Sequence, residues 1–174
     1  MEVLNCTFTE LDKKEFIIKK GDENNKVEKL RSKIKNSGMK VKNVHCVYIY
    51  ELVDSHFQYP KGTSSILYIG QTATKAKEIQ SRFVHINGDK TQTDGNDGQS
   101  NITLSNYYHI NSPIKLTIYQ VNGEGTMDKL EKSLHKSFVA QYGSLPIGTG
   151  TTSSEYNAKE LLKFTPPCSI DCDC

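Results

Sequence analysis

Five side chains could do chemistry together: Tyr48, Tyr68, Arg82, His85 and Glu131. Arg82 stands out because arginine is scarce here. Only Arg31 and Arg82 are arginines among 22 basic residues, and a planar guanidinium fork grips an oxyanion in a way a lysine cannot. His85 follows three residues later, so on a helix the two project side by side as an anion grip and a proton donor or acceptor. Glu131 adds a carboxylate on a later helical segment. Tyr48 and Tyr68 carry phenols on strand-like segments. Taken singly each has an ordinary structural role: a packed tyrosine, a surface cation, a helix-end histidine, or a glutamate paired in solvent with His135 four residues on.

Other signatures are absent or incomplete. Gly148-Thr149-Gly150-Thr151 lacks the Gly-Lys-Ser/Thr ending of a phosphate-cradling loop, and there is no HExxH and no paired CxxC. Three of the five cysteines, Cys168, Cys172 and Cys174, crowd the last seven residues, and three thiolates fall short of a closed zinc site.

The elements that must position these residues follow from periodicity. Val44 to Val53 is apolar on both alternating sets, as expected of a central strand covered on both faces. A polar connection from Asp54 to Ser64 leads to a second strand, Ser65 to Ile69, closed by Gly70, and the pair reads as an antiparallel hairpin. Ala76, Ile79, Phe83 and Ile86 define a helix carrying Arg82 and His85. Residues 87–106 form a long polar loop, Pro113 to Val121 a third strand, and Met127 to Tyr142 a helix with Met127, Leu130, Leu134 and Phe138 inward and Asp128 in its first turn. Ahead of these lie a short strand at Glu15 to Lys20 and a helix with Val27, Leu30 and Ile34 on one face, stopped by Gly38. A last short helix, from about Ser153 to Phe164, precedes the cysteines.

The expected fold is therefore α/β of the α+β type: a small three-stranded antiparallel sheet flanked by helices. Residues 1–43 form a basic N-terminal extension, 44–150 the core with insertions at 54–64 and 87–106, and 151–174 a C-terminal helix and tail. With 36% hydrophobic and 24% charged residues the 174-residue chain supports a globular core. No apolar run nears the ~20 residues of a membrane span, and the N-terminus lacks the order of a signal peptide. A soluble, cytoplasmic, bacterial protein with reduced thiols is expected. The first 42 residues hold 11 of the 22 Lys/Arg against 7 of the 20 Asp/Glu, a basic segment compatible with a polyanionic partner.

In order and placement these residues resemble the GIY-YIG endonuclease family. Cys46-Val47-Tyr48 stands for the first motif, with cysteine in place of the usual glycine, and Tyr68-Ile69-Gly70 is the second. Arg82 and His85 match the family's arginine and histidine on the following helix. Glu131, with the later turn Leu145-Pro146-Ile147-Gly148, looks like the metal-binding glutamate element of its type II restriction members. The asparagine that many members carry after that helix falls at Gly148-Thr149 here, leaving its role vacant or passed to the threonine. The two motif tyrosines are separated by about twice the usual distance, which marks 54–64 as an insertion.

The resemblance implies hydrolysis of phosphodiester bonds in double-stranded DNA. Such attack needs an activated water, neutralisation of the phosphoryl charge and help for the leaving oxygen. Tyr48 is the implied general base. A free phenol ionises near pH ~10, so a cation or metal-bound water must stabilise its anion. Arg82 grips the phosphate, His85 relays or hydrogen-bonds, and Tyr68 orients water or phosphate. Glu131 holds a single Mg²⁺, for which Mn²⁺ can substitute, because one carboxylate cannot organise two ions. Lys26, Lys29, Lys33 and Lys35 are candidates for DNA phosphate contacts, and Asn96, Gln99 and Asn101 for base contacts. A palindromic target cut on both strands would, by analogy, imply a two-fold homodimer. A toxin or mobile-element nuclease, or a catalytically silent nucleic-acid-binding module, are the alternatives.

Overall fold

The computed structural model describes residues 12–18, 33–34, 36–39, 45–72, 113–121 and 123–149. Six strands and one long helix occur among them: β1 (Asp12–Ile18), β2 (His45–Leu52), β3 (Phe57–Tyr59), β4 (Gly62–Ser64), β5 (Ile66–Thr72), β6 (Ile114–Val121) and α1 (Glu124–Tyr142). The main sheet is antiparallel throughout, in the order β1-β6-β2-β5, and β3-β4 is a separate hairpin. The class is α+β, but the sheet has four strands rather than the expected three. The segment expected as a short strand at Glu15 to Lys20 lies at Asp12–Ile18 and joins the sheet along β6. It does so because Phe16 and Ile18 alternate onto one face, where both are buried beside Leu116 and Ile114.

β2 is central, with β6 on one side and β5 on the other, and from Cys46 to Leu52 it is buried on both faces. Its doubly apolar sequence is thereby explained. Cys46, Tyr48, Tyr50 and Leu52 belong to one core layer, with Ile34 and Met39 also in it. Lys33, Ile34 and Asn36 are helical, and Gly38 ends that stretch at φ 79°, the left-handed conformation that suits glycine. The other face carries Val47, Ile49 and Ile69, against which α1 sets Met127, Leu130, Leu134 and Phe138. Those four are the residues that the 3.6-residue period selects. Buried fully, each contributes about 1.5–3 kcal/mol of transfer free energy. The helix begins at Glu124, a turn before the expected start. Glu124, rather than Asp128, is therefore the acidic residue of its first turn.

The 54–64 connection is a compact strut. Its hairpin places Tyr59 against Phe138 and Tyr142 of α1, with ring centroids 5.1 and 5.8 Å away. The Tyr59 hydroxyl donates to the Ile66 carbonyl (3.1 Å) and accepts from the Ile147 N–H (3.2 Å). α1 ends at Gly143 in the left-handed conformation (φ 80°), with its N–H on the Val139 carbonyl. α1 has no basic residue in its own last turn. Instead the hairpin supplies one: the Lys61 backbone N–H donates to the Tyr142 carbonyl (3.1 Å) and its ammonium to the Ala140 carbonyl (3.4 Å), a favourable placement at the negative end of the helix dipole.

On the α1-bearing face the sheet also buries a charge pair. Glu51 and Lys115 are direct cross-strand partners, joined at 2.8 Å with side-chain exposures of 3% and 15%. No helix among the described residues is long and apolar enough to cross a membrane.

Candidate functional site

The register of β2 against β5 sets the two tyrosine motifs face to face. Tyr48 lies opposite Gly70, Ile49 opposite Ile69 and Tyr50 opposite Tyr68. A shift in pairing follows between Tyr50 and Glu51, where Glu51 meets Ile66 and Leu67 is the extra residue. Tyr48 and Tyr68 project from the same face, ring centroids 5.8 Å apart and tilted 35°, with Tyr50 packed edge-on against Tyr48 at 5.8 Å. The Tyr48 ring is fully buried.

Gly70 is required by this packing. The Tyr68 ring folds back over it, so a Cβ there would stand 2.7 Å from Tyr68 Oη and 2.8 Å from Cζ, and closer still to Cε1. The glycine therefore does not close the strand as expected. β5 continues through Gln71 to Thr72 because the ring occupies the space above residue 70 while the backbone keeps its pairing with Tyr48.

The outer edge of β5 is held by the helix that carries Glu131. Nε2 of His135 lies 3.3 Å from the Ile69 carbonyl, and the Gly148 N–H donates to the Leu67 carbonyl at 2.8 Å. Since a carbonyl only accepts, the imidazole carries its proton on Nε2. Burial pushes the His135 pKa down to about 4, partly offset by the bond to Ile69, so the ring is neutral at physiological pH. His135 is buried (5% exposed) and turned toward the sheet edge, not out in solvent. Gly148 is needed where it sits, because a Cβ would fall 2.8 Å from the Leu67 carbonyl oxygen. The following Thr149 has a buried hydroxyl with no hydrogen-bond partner among the described residues.

The first of these contacts seats α1 beside β5, and the second seats the turn that follows the helix. Glu131, one helical turn before His135, is half-buried. Tyr48 and Tyr68 thus share one face of the sheet, while α1 lies against the other, and the edge strand β5 is where the two faces meet.

Of the remaining candidates, Lys33 is exposed at the helical stretch before Gly38. Arg82, His85, Lys26, Lys29, Lys35, Asn96, Gln99 and Asn101 lie outside the described residues, as do the 87–106 loop and the three terminal cysteines. Among the described residues no group of three or more His, Cys, Asp or Glu could hold a metal ion. The sequence reading missed Tyr59, His135 and Gly148 as the pieces that lock the β5 edge. The Leu-Pro-Ile-Gly turn was the available signal for the last of them.

No family model, curated protein or solved structure matches the chain.

Proposed function

We propose that the chain is a metal-dependent endonuclease of the GIY-YIG type, hydrolysing phosphodiester bonds of double-stranded DNA in the manner of a type II restriction enzyme. The observation that carries this is the register: Tyr48 opposes Gly70 with the Tyr48 and Tyr68 rings in contact, on a strand whose other edge is gripped by the helix bearing Glu131. Two short motifs 20 residues apart in sequence thereby become one pair of packed phenols.

In this reading Tyr48 takes the proton of the attacking water and Tyr68, braced over Gly70, orients that water or the phosphate. Arg82 neutralises the phosphoryl oxygens, and His85 relays the proton. Glu131 would hold one Mg²⁺, since a single carboxylate does not organise two ions. When bound, the ion supplies charge neutralisation at the leaving oxygen.

Full burial of the Tyr48 ring favours a second reading, a nucleic-acid-binding module on the same scaffold that does no chemistry. One experiment separates them. Supercoiled plasmid is incubated with the protein and Mg²⁺, and DNA retention is measured in parallel. The nuclease reading expects cutting by the wild type and retention without cutting by Glu131→Ala; identical behaviour of the two proteins refutes it. Discrete fragment ends on a long DNA of known sequence mark restriction-type specificity, and a smear marks a nonspecific nuclease.

A further inference from the structure

Position 135 is a costly place for a histidine. It lies within α1, 5% exposed, beside Leu134 of the inward stripe. Burial keeps the ring neutral and brings its pKa down to about 4, whereas an apolar side chain would pack there without desolvating a polar ring. What the imidazole supplies and an apolar side chain cannot is a hydrogen-bond donor. Its Nε2 lies 3.3 Å from the Ile69 carbonyl, a contact that spans 66 positions of sequence.

That carbonyl belongs to the middle residue of Tyr68-Ile69-Gly70. β5 is the last strand of the main sheet, so the carbonyls along its outer side meet no further strand among the described residues. Residue 69 is therefore held from two directions: it pairs with Ile49 of β2 on one side and takes the His135 donor on the other. Its two neighbours are the features of the candidate site, Tyr68 with its ring packed on Tyr48, and Gly70, where a Cβ would collide with that ring.

We infer that His135 is a positioning residue of the nuclease site: its Nε2–H fixes the Ile69 peptide, and with it the setting of Tyr68 relative to α1. This rests on the reading that Tyr68 orients the water or the phosphate while α1 supplies Glu131. In that reading the two groups come from different elements, and His135 is a direct side-chain link between that helix and that motif. The imidazole acts on the rate through geometry alone, since a misplacement of ~1 Å arising away from the chemistry can cost about 10²-fold.

The test compares wild type, His135→Leu and His135→Gln in cleavage of supercoiled plasmid with Mg²⁺, at neutral pH and at a temperature where circular dichroism shows each protein folded. Leucine fills the space and removes the donor, while the glutamine amide nitrogen reaches about where Nε2 stands and restores it. Single-turnover rates at saturating enzyme isolate the chemical step, and DNA retention without Mg²⁺ measures binding. The expected result is a rate about 10–100-fold lower in His135→Leu with DNA affinity unchanged, and recovery of the wild-type rate in His135→Gln. A purely structural role would lower the melting temperature of His135→Leu and leave the single-turnover rate of the folded protein at the wild-type value. That outcome overturns the proposal while the nuclease reading stands. A rate that stays low in His135→Gln also overturns it, because the donor is then not what matters. Should His135→Leu fail to fold, His135→Gln decides: the wild-type rate supports the role and a lowered rate refutes it. No cutting by the wild type overturns the nuclease reading, and this role falls with it.

Discussion

Replacing Gly70 by alanine tests the packing on which the tyrosine pair depends. The new Cβ would stand 2.7 Å from Tyr68 Oη and 2.8 Å from Cζ, whereas carbon atoms rest at ~3.5–4.0 Å. The ring must therefore withdraw by roughly 1 Å, and it is not free to do so. Tyr68 is 8% exposed and packed at 5.8 Å from Tyr48 and 6.4 Å from Tyr50. Overpacking of this kind costs about 1–3 kcal/mol, offset by about 0.5–1 kcal/mol because alanine loses less backbone freedom than glycine in a strand. The net expectation is a loss of about 1–2 kcal/mol, which for a chain of this size lowers Tm by about 2–8 °C. Urea denaturation and thermal melting measure it, and near-ultraviolet circular dichroism should show a changed tyrosine signal. The decisive arm is a double-mutant cycle. In a Tyr68→Ala background the obstacle is gone, so Gly70→Ala should become neutral or slightly stabilising, a coupling of at least ~1 kcal/mol. Equal cost in both backgrounds would refute the claim that the ring is what demands glycine.

Three further outcomes follow from the same geometry. His135 has a pKa lowered to about 4 by burial, below its unfolded value of ~6.5. The unfolded chain therefore binds the proton first, and stability present above pH ~6.5 is lost as the pH falls toward 4, by up to about 3 kcal/mol. The difference in unfolding free energy between wild type and His135→Gln, measured from pH 7 to 4, should shrink accordingly, and a pH-independent difference would contradict the burial. Tyr59→Phe removes the hydroxyl that links the Ile66 carbonyl to the Ile147 N–H, costing about 1–3 kcal/mol and accelerating hydrogen exchange at Ile147; an unchanged exchange rate would argue against the link. Lys115→Met leaves the Glu51 carboxylate buried without its cation and should cost about 3–5 kcal/mol. The double change Glu51→Leu/Lys115→Met should recover most of that in urea denaturation.

What the sequence disclosed and what it concealed divide along physical lines. Local periodicity was sufficient for α1, whose four inward residues are buried as their spacing requires, and for β2, whose two apolar faces demanded a central position. Pairing partners were another matter. Phe16 and Ile18 mark β1 as a strand, but its partner β6 begins about 100 residues later, and no periodicity names a partner. Gly70 looks like a strand end by composition. It is a mid-strand residue because of an aromatic ring two positions earlier, a contact visible only in three dimensions. The 54–64 connection reads as polar linker, yet Tyr59 makes it a strut through contacts with Phe138 and Ile147 some 80 positions away. His135 sits just outside the stripe of Leu134 and Phe138, so its burial depended on how closely α1 follows β5. The opposition of Tyr48 to Gly70 was likewise invisible, since it is a matter of register rather than of residue type.

The way β5 is held bears on how the chain can err. Sliding that strand by a single position would send residue 68 to the helix side, detach the carbonyls that the imidazole and the Gly148 amide occupy, and drive a side chain into the space that only glycine leaves open. Any one of these would be tolerable alone. Arriving simultaneously, they leave no low-energy misthreaded alternative, so the two phenols keep a fixed spacing for as long as the domain is folded and should separate only when it melts as a whole.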